Sequence, residues 1–275
     1  MKIISCINMK GGVAKTTIAV NIAHCLATRN KVKILLIDVD PQFNATQCLM
    51  SPEVYVEYVK KGKDTIKTIF ERDNQLQVSM VNGANIANSK DLRDIKPVTI
   101  TENFDLIPGS LELFRMEMSS GNGVEFKLKN YLNINNDKYD YVIIDTPPTP
   151  SAWMTSALLA SDYYLIPVKT DPLSLTGIDL LYSVVNEKVN NYGMSIKCCG
   201  VVLTMVEINT ISFSNAKEFL NKDKRWTGKT FSSYLSKRTD IANNQTKQKM
   251  ILDLNDPDVK SQIVAITNEL IERTK

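Results

Sequence analysis

Residues 9–17, Met-Lys-Gly-Gly-Val-Ala-Lys-Thr-Thr, place a Gly-Gly turn, two lysines and two hydroxyls within nine positions. Such a turn lets successive backbone N–H groups converge on an anion, and a hydroxyl beside it can serve a metal ion bound to phosphate. The ordinary phosphate loop reads G-x-x-x-x-G-K-[ST]. Lys15-Thr16 match its end, but Met9 and Ala14 stand where its two glycines belong, so the physical requirement survives without the strict pattern. Lys10 is one lysine more than nucleotide binding needs. Other chemistries have little to work with. A single histidine, His24, reads as a satisfied structural residue of the first helix. The five cysteines (6, 25, 48, 198, 199) have the spacing of neither a disulfide framework nor a C-x-x-C metal site. Cys6 and Cys25 lie on apolar faces and read as core.

The loop needs elements to hold it. Before it, Lys2-Ile-Ile-Ser-Cys-Ile-Asn8 suits a buried strand; after it, Thr17 to Thr28 carries Ile18, Ile22 and Leu26 at helical spacing. Two more apolar runs end in acids: Lys33 to Gln42, with Asp38 and Asp40, and Tyr139 to Pro148, with Asp145. Continuous apolar runs read as central parallel strands, whose carboxyl ends are where open α/β sheets place ligands. All three acids therefore fall on the loop's edge. Mg²⁺ takes oxygen ligands and keeps several waters, so the Thr16 hydroxyl, the phosphates and supporting carboxylates from Asp38 and Asp145 suffice.

The loop K-G-G-x-x-K-[ST]-T (Lys10 to Thr17), the D-x-D-P-Q segment (Asp38 to Gln42) with Asn44, and Y-D-Y-V-I-I-D-T-P-P (Tyr139 to Pro148) resemble the ParA/MinD group of deviant Walker A ATPases. The Asp-Pro-Gln and Thr-Pro-Pro variants resemble the ParA side, the DNA partition ATPases. Phe104–Ser110, Leu165–Val168 and Gly200–Met205 come in that family's order, so the resemblance covers nearly the whole chain. It implies a doubly wound α/β fold with a mostly parallel sheet and helices on both faces. It implies ATP and Mg²⁺ as cofactors, with Gly11, Gly12, Val13, Ala14, Thr204 and Met205 among the nucleotide contacts. Lys15 would hold the β- and γ-phosphates, Thr16 the Mg²⁺ and Thr17 the α-phosphate. Asp40 would orient the attacking water, while Asp38 and Asp145 support the metal. Lys10 would reach across a homodimer into the partner's site, making ATP the cement of the dimer. Ala14 departs from the family's glycine, and its Cβ is expected to tune the loop torsion.

At 275 residues with 43% hydrophobic side chains, the chain can bury a large core as one domain over 1–275. No Gly/Pro/Ser-rich linker or repeat divides it. Residues of about 51–100 read as a surface insertion, with short helices at 51–70 and an irregular stretch near 71–97. The loop begins so early that no N-terminal helix-turn-helix domain is expected. No secretory signal or long apolar run is present, which predicts a cytoplasmic protein.

The net charge of +3 is unevenly spread: residues 211–250 hold nine basic side chains against three acids. Such a stretch can neutralise nucleic-acid phosphates without reading sequence. Lys217, Lys224, Arg225, Lys229, Lys237, Arg238 and Lys247 are its candidate DNA contacts, and Lys237-Arg238 fall near the family's Ile-Pro-Arg segment. The final helix candidate, Asp256 to Lys275, lines up Val259, Ile263, Ile266 and Leu270 on one face; Glu269 and Glu272 argue for packing on the sheet over lying in a membrane.

The expected function is an ATPase that dimerises on ATP, binds nonspecific DNA on the nucleoid, and releases it when a ParB-like adaptor stimulates hydrolysis, so that a plasmid, chromosome or other cargo is positioned. A MinD-like membrane-associated positioning ATPase shares the same site. A nitrogenase-reductase-like electron carrier needs cluster-ligating cysteines that the spacing does not supply. A noncatalytic nucleotide-bound DNA-binding module is the remaining alternative.

Overall fold

The computed structural model describes residues 1–71, 91–119 and 123–275. The chain begins with strand β1 (Lys2–Cys6), the loop, and helix α1 (Lys15–Arg29), followed by β2 (Ile34–Asp38) and α2 (Asn44–Leu49). Next come α3 (Pro52–Lys60), α4 (Ile66–Phe70), β3 (Val98–Thr101), β4 (Phe104–Ile107), α5 (Glu112–Ser119) and α6 (Lys127–Ile134). Strand β5 (Tyr141–Asp145), α7 (Ala152–Ala160), β6 (Tyr163–Lys169), α8 (Pro172–Tyr192) and β7 (Lys197–Thr204) continue the alternation. The chain ends with α9 (Ile211–Lys222), α10 (Thr239–Gln245) and α11 (Pro257–Arg273).

Helix starts obey local chemistry. Ser51, Ser151, Asp171, Thr210 and Asp256 each accept a hydrogen bond from a first-turn N–H. Proline occupies the first position of α3, α8 and α11, where its missing donor costs nothing.

The seven strands form one sheet in the order β3-β4-β2-β5-β1-β6-β7. Neighbours run parallel except β3, which is antiparallel to β4. Alternate residues feed opposite faces. Ile34 and Leu36 of β2 join α1 and α11 in one apolar cluster, whereas Leu35 and Ile37 join α4, α6 and α7 in another. A third cluster packs α7, α8 and α9 on β6 and β7. This is the doubly wound arrangement that the family resemblance implies, and β2, β5 and β1 occupy its centre, as expected of the continuous apolar runs. The register sets Asp38 opposite Asp145, and Asp145 opposite Cys6, so both acids and the start of the loop share one row at the strands' carboxyl ends.

Two parts of the 51–100 reading need correcting. Helix α3 has no buried residue, as a surface insertion requires, but Ile66, Ile69 and Phe70 of α4 and Ile95 are core residues no more than 2% exposed. Val98–Thr101 pairs with β4 and closes the sheet edge. Most of the stretch near 71–97 lies outside the described residues. Helix α11 packs as expected, with Val259, Ile263, Ile266 and Leu270 all fully buried in the cluster with α1. No helix among the described residues is long and apolar enough to cross a membrane.

Candidate functional site

The loop leaves β1 through Ile7 and Asn8, and Asn8 ties it down on both sides. Its Nδ2 donates to the Pro167 carbonyl of β6 and its Oδ1 accepts from the Lys10 N–H, both at 2.8 Å. On the far side, the Val13 carbonyl accepts from Thr204 Oγ1 at the end of β7, 2.9 Å away. Gly12 turns the chain with φ 70°, and ideal Cβ atoms at Gly11 or Gly12 would project into open space. Ala14 then sits in the left-handed region, φ 59°, as the N-cap of α1. A non-glycine residue there costs on the order of 1 kcal/mol, which is the torsional effect expected of its Cβ.

Gly11 through Thr16 form one wall of a cleft of about 350 Å³, the size of a small-ligand site. Asp40 and α2 supply a second wall, and Ala242, Gln245 and Thr246 at the end of α10 a third. Lys15 stands at the N-terminus of α1, 7% exposed. Beside it, Thr16 Oγ1 donates to Asp145 Oδ2 at 2.7 Å, while Asp145 Oδ1, fully buried, has no partner among the described residues. Asp38 is buried as deeply but is saturated: its Oδ2 accepts from both the N–H and the hydroxyl of Thr46 at 2.8 Å, and its Oδ1 from the Asp40 N–H at 3.3 Å. Thr46 Oγ1 in turn accepts from the Gly109 N–H. A Cβ at Gly109 would meet Phe43 Cβ at 2.5 Å, so glycine is what lets β4 close on this network. Asp40, 4% exposed, lines the cleft and accepts from the Gln42 N–H at 2.9 Å.

Three buried carboxylates face one buried lysine, a charge balance that lacks positive charge. Burial first, opposed by Lys15 and the Thr16 hydrogen bond, pushes Asp145 up to about 6. Burial and then the charge of Asp145 carry Asp38 well above the usual carboxylate range. The orphaned Oδ1 and the missing charge both fit a hard divalent cation. No cluster of three or more acidic, histidine or cysteine side chains among the described residues could hold a metal alone. An ion here would draw on Thr16 and phosphate oxygens, with Asp145 behind Thr16.

Lys10 behaves differently from its neighbours. It does not line the cleft; its Nζ lies 2.8 Å from Oδ1 of Asp171, the cap of α8. Thr17 is not itself among the cleft-lining residues, but its hydroxyl is paired at 3.0 Å with Gln245, which is. Thr204 and Met205, expected as nucleotide contacts, are not among the cleft-lining residues: Thr204 braces the loop from beneath and Met205 takes a left-handed turn, φ 51°. Gln47, Cys48, Pro148, Ala242, Gln245 and Thr246 line the cleft without having been singled out as sites. Only Pro148, inside the Thr-Pro-Pro motif, carried a signal in sequence. Cys6 and Cys25 are core as expected. His24 is half-buried with a depressed pKa, caused first by burial, and its Nδ1 lacks a partner among the described residues, so the expectation of a satisfied histidine fails at that nitrogen.

The basic stretch divides into two groups. Arg225 pairs with Asp179 and Asp223, Lys237 with Glu207, and Arg238 with Asp256. Lys224, Lys229 and Lys247 have no ion-pair partner among the described residues, and Lys217 lies over the Phe213 ring at 4.3 Å.

Residues 1–198 match the model of a family described as an AAA domain. The sporulation initiation inhibitor protein Soj of Bacillus subtilis is 33% identical over 211 residues, covering 76% of this chain and 74% of that protein. A ParA family protein of Chlamydia pneumoniae is 34% identical over 66% of this chain and 64% of its own length. Among solved structures, a putative plasmid partition protein from Borrelia burgdorferi, bound to AMPPNP, superposes with a TM-score of 0.73 at 26% identity, over 99% of this chain and 98% of that one. With the deviant loop and both acid-bearing strands inside the matched region, the chain belongs to the ParA/Soj family of P-loop ATPases.

Proposed function

We propose that this ATPase forms an ATP-dependent homodimer, that the dimer binds DNA without sequence preference, and that a DNA-bound adaptor of the ParB type triggers hydrolysis and release. The observation that carries this reading is the orientation of Lys10. A lysine in a phosphate loop, off its own cleft wall and held 2.8 Å from Asp171, can turn to a phosphate presented by a second copy once that exposed pair opens.

Within one subunit, Lys15 and the loop N–H groups hold the β- and γ-phosphates and offset their charge. Thr16 offers its hydroxyl to Mg²⁺, with Asp145 behind it and Asp38 fixing the segment that bears Asp40. Mg²⁺, when bound, neutralises phosphate charge. Asp40 accepts a hydrogen bond from the attacking water and aligns it with the γ-phosphorus, the positioning that phosphoryl transfer most requires. Lys10 adds its charge from the opposite subunit, so a complete site exists only in the dimer. Lys217, Lys224, Lys229 and Lys247 supply charge toward DNA phosphates. The membrane-associated alternative is disfavoured by α11, whose apolar face is spent on α1.

The test is sedimentation and DNA binding with ADP, ATP and a nonhydrolysable analogue, using wild type, Lys10→Ala, Lys15→Ala and Asp40→Ala. The expected outcomes are loss of nucleotide binding for Lys15→Ala, retained nucleotide but no dimer for Lys10→Ala, and a dimer that does not turn over for Asp40→Ala. Normal ATP-dependent dimerisation of Lys10→Ala would overturn the reading.

A further inference from the structure

We infer that Gln245 is a positioning residue that aims the Thr17 hydroxyl at the bound nucleotide and thereby couples nucleotide occupancy to the basic turn at 246–249. The inference rests on the nucleotide reading of the cleft. Thr17 is in the first turn of α1, next to the residues that wall the cleft. Gln245 Nε2 donates to Thr17 Oγ1 at 3.0 Å, while the reverse bond, from the hydroxyl to Oε1, is long at 3.4 Å. A hydroxyl that accepts on one side keeps its single proton for another acceptor, and a phosphate over the end of α1 is a far better acceptor than an amide oxygen at 3.4 Å. Ligand binding therefore exchanges a weak bond for a charge-assisted one and keeps the Gln245-to-Thr17 bond, which the extended chain polarises and strengthens.

Gln245 is the last residue of α10, and the turn after it is held mainly by bonds to residues within or just before it. The N–H groups of Lys247 and Lys249 both donate to the Asn244 carbonyl, Gln248 takes φ 55° and its amide reaches the Gln47 carbonyl at 3.1 Å. The chain is next tied to α1 where the Ile251 N–H donates to Asn21 Oδ1 at 2.7 Å. Asn21 lies one helical turn beyond Thr17 on α1, so two side-chain bonds to the nucleotide-binding helix bracket a turn that bears two exposed lysines. Strengthening the Thr17 tie slows opening of the turn. By reciprocity, whatever holds the turn closed raises nucleotide affinity by the same factor.

Mg-ADP is the appropriate probe, because without a γ-phosphate it separates this coupling from ATP-dependent dimerisation. Gln245→Leu removes the donor, and Gln245→Glu keeps the size while removing the donor. The expected result is Mg-ADP affinity lowered about three- to tenfold in both variants, with unliganded melting temperatures unchanged. In wild type, Mg-ADP should slow amide exchange at Lys247 and Lys249, and in both variants that protection should be lost. Wild-type affinity together with wild-type protection in the variants overturns the inference alone. Failure of the wild-type protein to bind Mg-ADP overturns the nucleotide reading and the inference with it.

Discussion

Asp171 does two tasks with one carboxylate: it caps α8 through the Ser174 N–H and hydroxyl, and it holds the Lys10 ammonium. Burial alone would raise its pKa, but the hydrogen bonds from Lys10 and Ser174 outweigh that and bring it down to about 2. Asparagine keeps the capping oxygen and discards the charge, so Asp171→Asn isolates the grip on Lys10. An exposed pair of this kind is worth about 0.2–1 kcal/mol. Freed of it in both subunits of a symmetric dimer, Lys10 should make dimerisation on a nonhydrolysable ATP analogue about two- to thirtyfold tighter by sedimentation; a weaker dimer would mean that Asp171 orients Lys10 instead of restraining it. The pH dependence has a definite sign. Between the unfolded value of about 4 and the folded value of about 2, the unfolded chain binds more protons, so the pair's stabilisation is complete above about pH 4 and vanishes as pH falls to about 2. The melting-temperature gap between wild type and Asp171→Asn should close over that interval. Residues of this class were the hardest to read in sequence. Lys10, Lys15, Thr16, Asp40 and Asp145 announce themselves because a motif spaces them locally, whereas Asp171 and Gln245 meet the loop across the fold through caps and side-chain amides that have no spacing rule.

The segment between β2 and β4 shows how elements divide labour. Helix α3 exposes Val54, Val56 and Val59, each more than 40% accessible, but Phe70 at the end of α4 is fully buried and packs its ring against Trp153 at 4.7 Å. Deleting a buried aromatic leaves a cavity, and such changes cost about 3–5 kcal/mol. Substitution on an open helix face stays within about 0.5 kcal/mol. Chemical denaturation of Phe70→Ala and Val56→Ser should reproduce that contrast; equal small losses would show α4 to be peripheral. The contrast was invisible in sequence because α4 has only five residues, too few for periodicity to separate a core helix from a loop. Doubly buried strands just as short were legible for a different reason: β2 and β5 are apolar on both faces and end in acids, the pattern of strands at the centre of a parallel sheet.

Across the whole molecule, the excess of positive charge at 211–250 is smaller than its count of basic residues implies, since folding brings acids from elsewhere onto it. Asp179 of α8, Glu207 and Asp256 neutralise Arg225, Lys237 and Arg238, with Asp223 reinforcing Arg225. A charge tally along the chain cannot see partners that arrive from other elements, so the sequence overstates how many of these side chains can neutralise DNA. A phosphate contact releases condensed counterions and steepens the salt dependence of binding by about 0.9 per contact, whereas a basic residue already held by a carboxylate must first break that pair. Lys224→Gln and Lys229→Gln should therefore each flatten a plot of log affinity against log salt by about 0.9, and Arg238→Gln should leave its slope near that of wild type. Fluorescence anisotropy with duplex DNA and a nonhydrolysable ATP analogue, between about 50 and about 200 mM salt, measures this directly. A full loss of slope on removing Arg238, with none on removing Lys224 or Lys229, would show that DNA displaces Asp256 and that the paired arginine is the real contact.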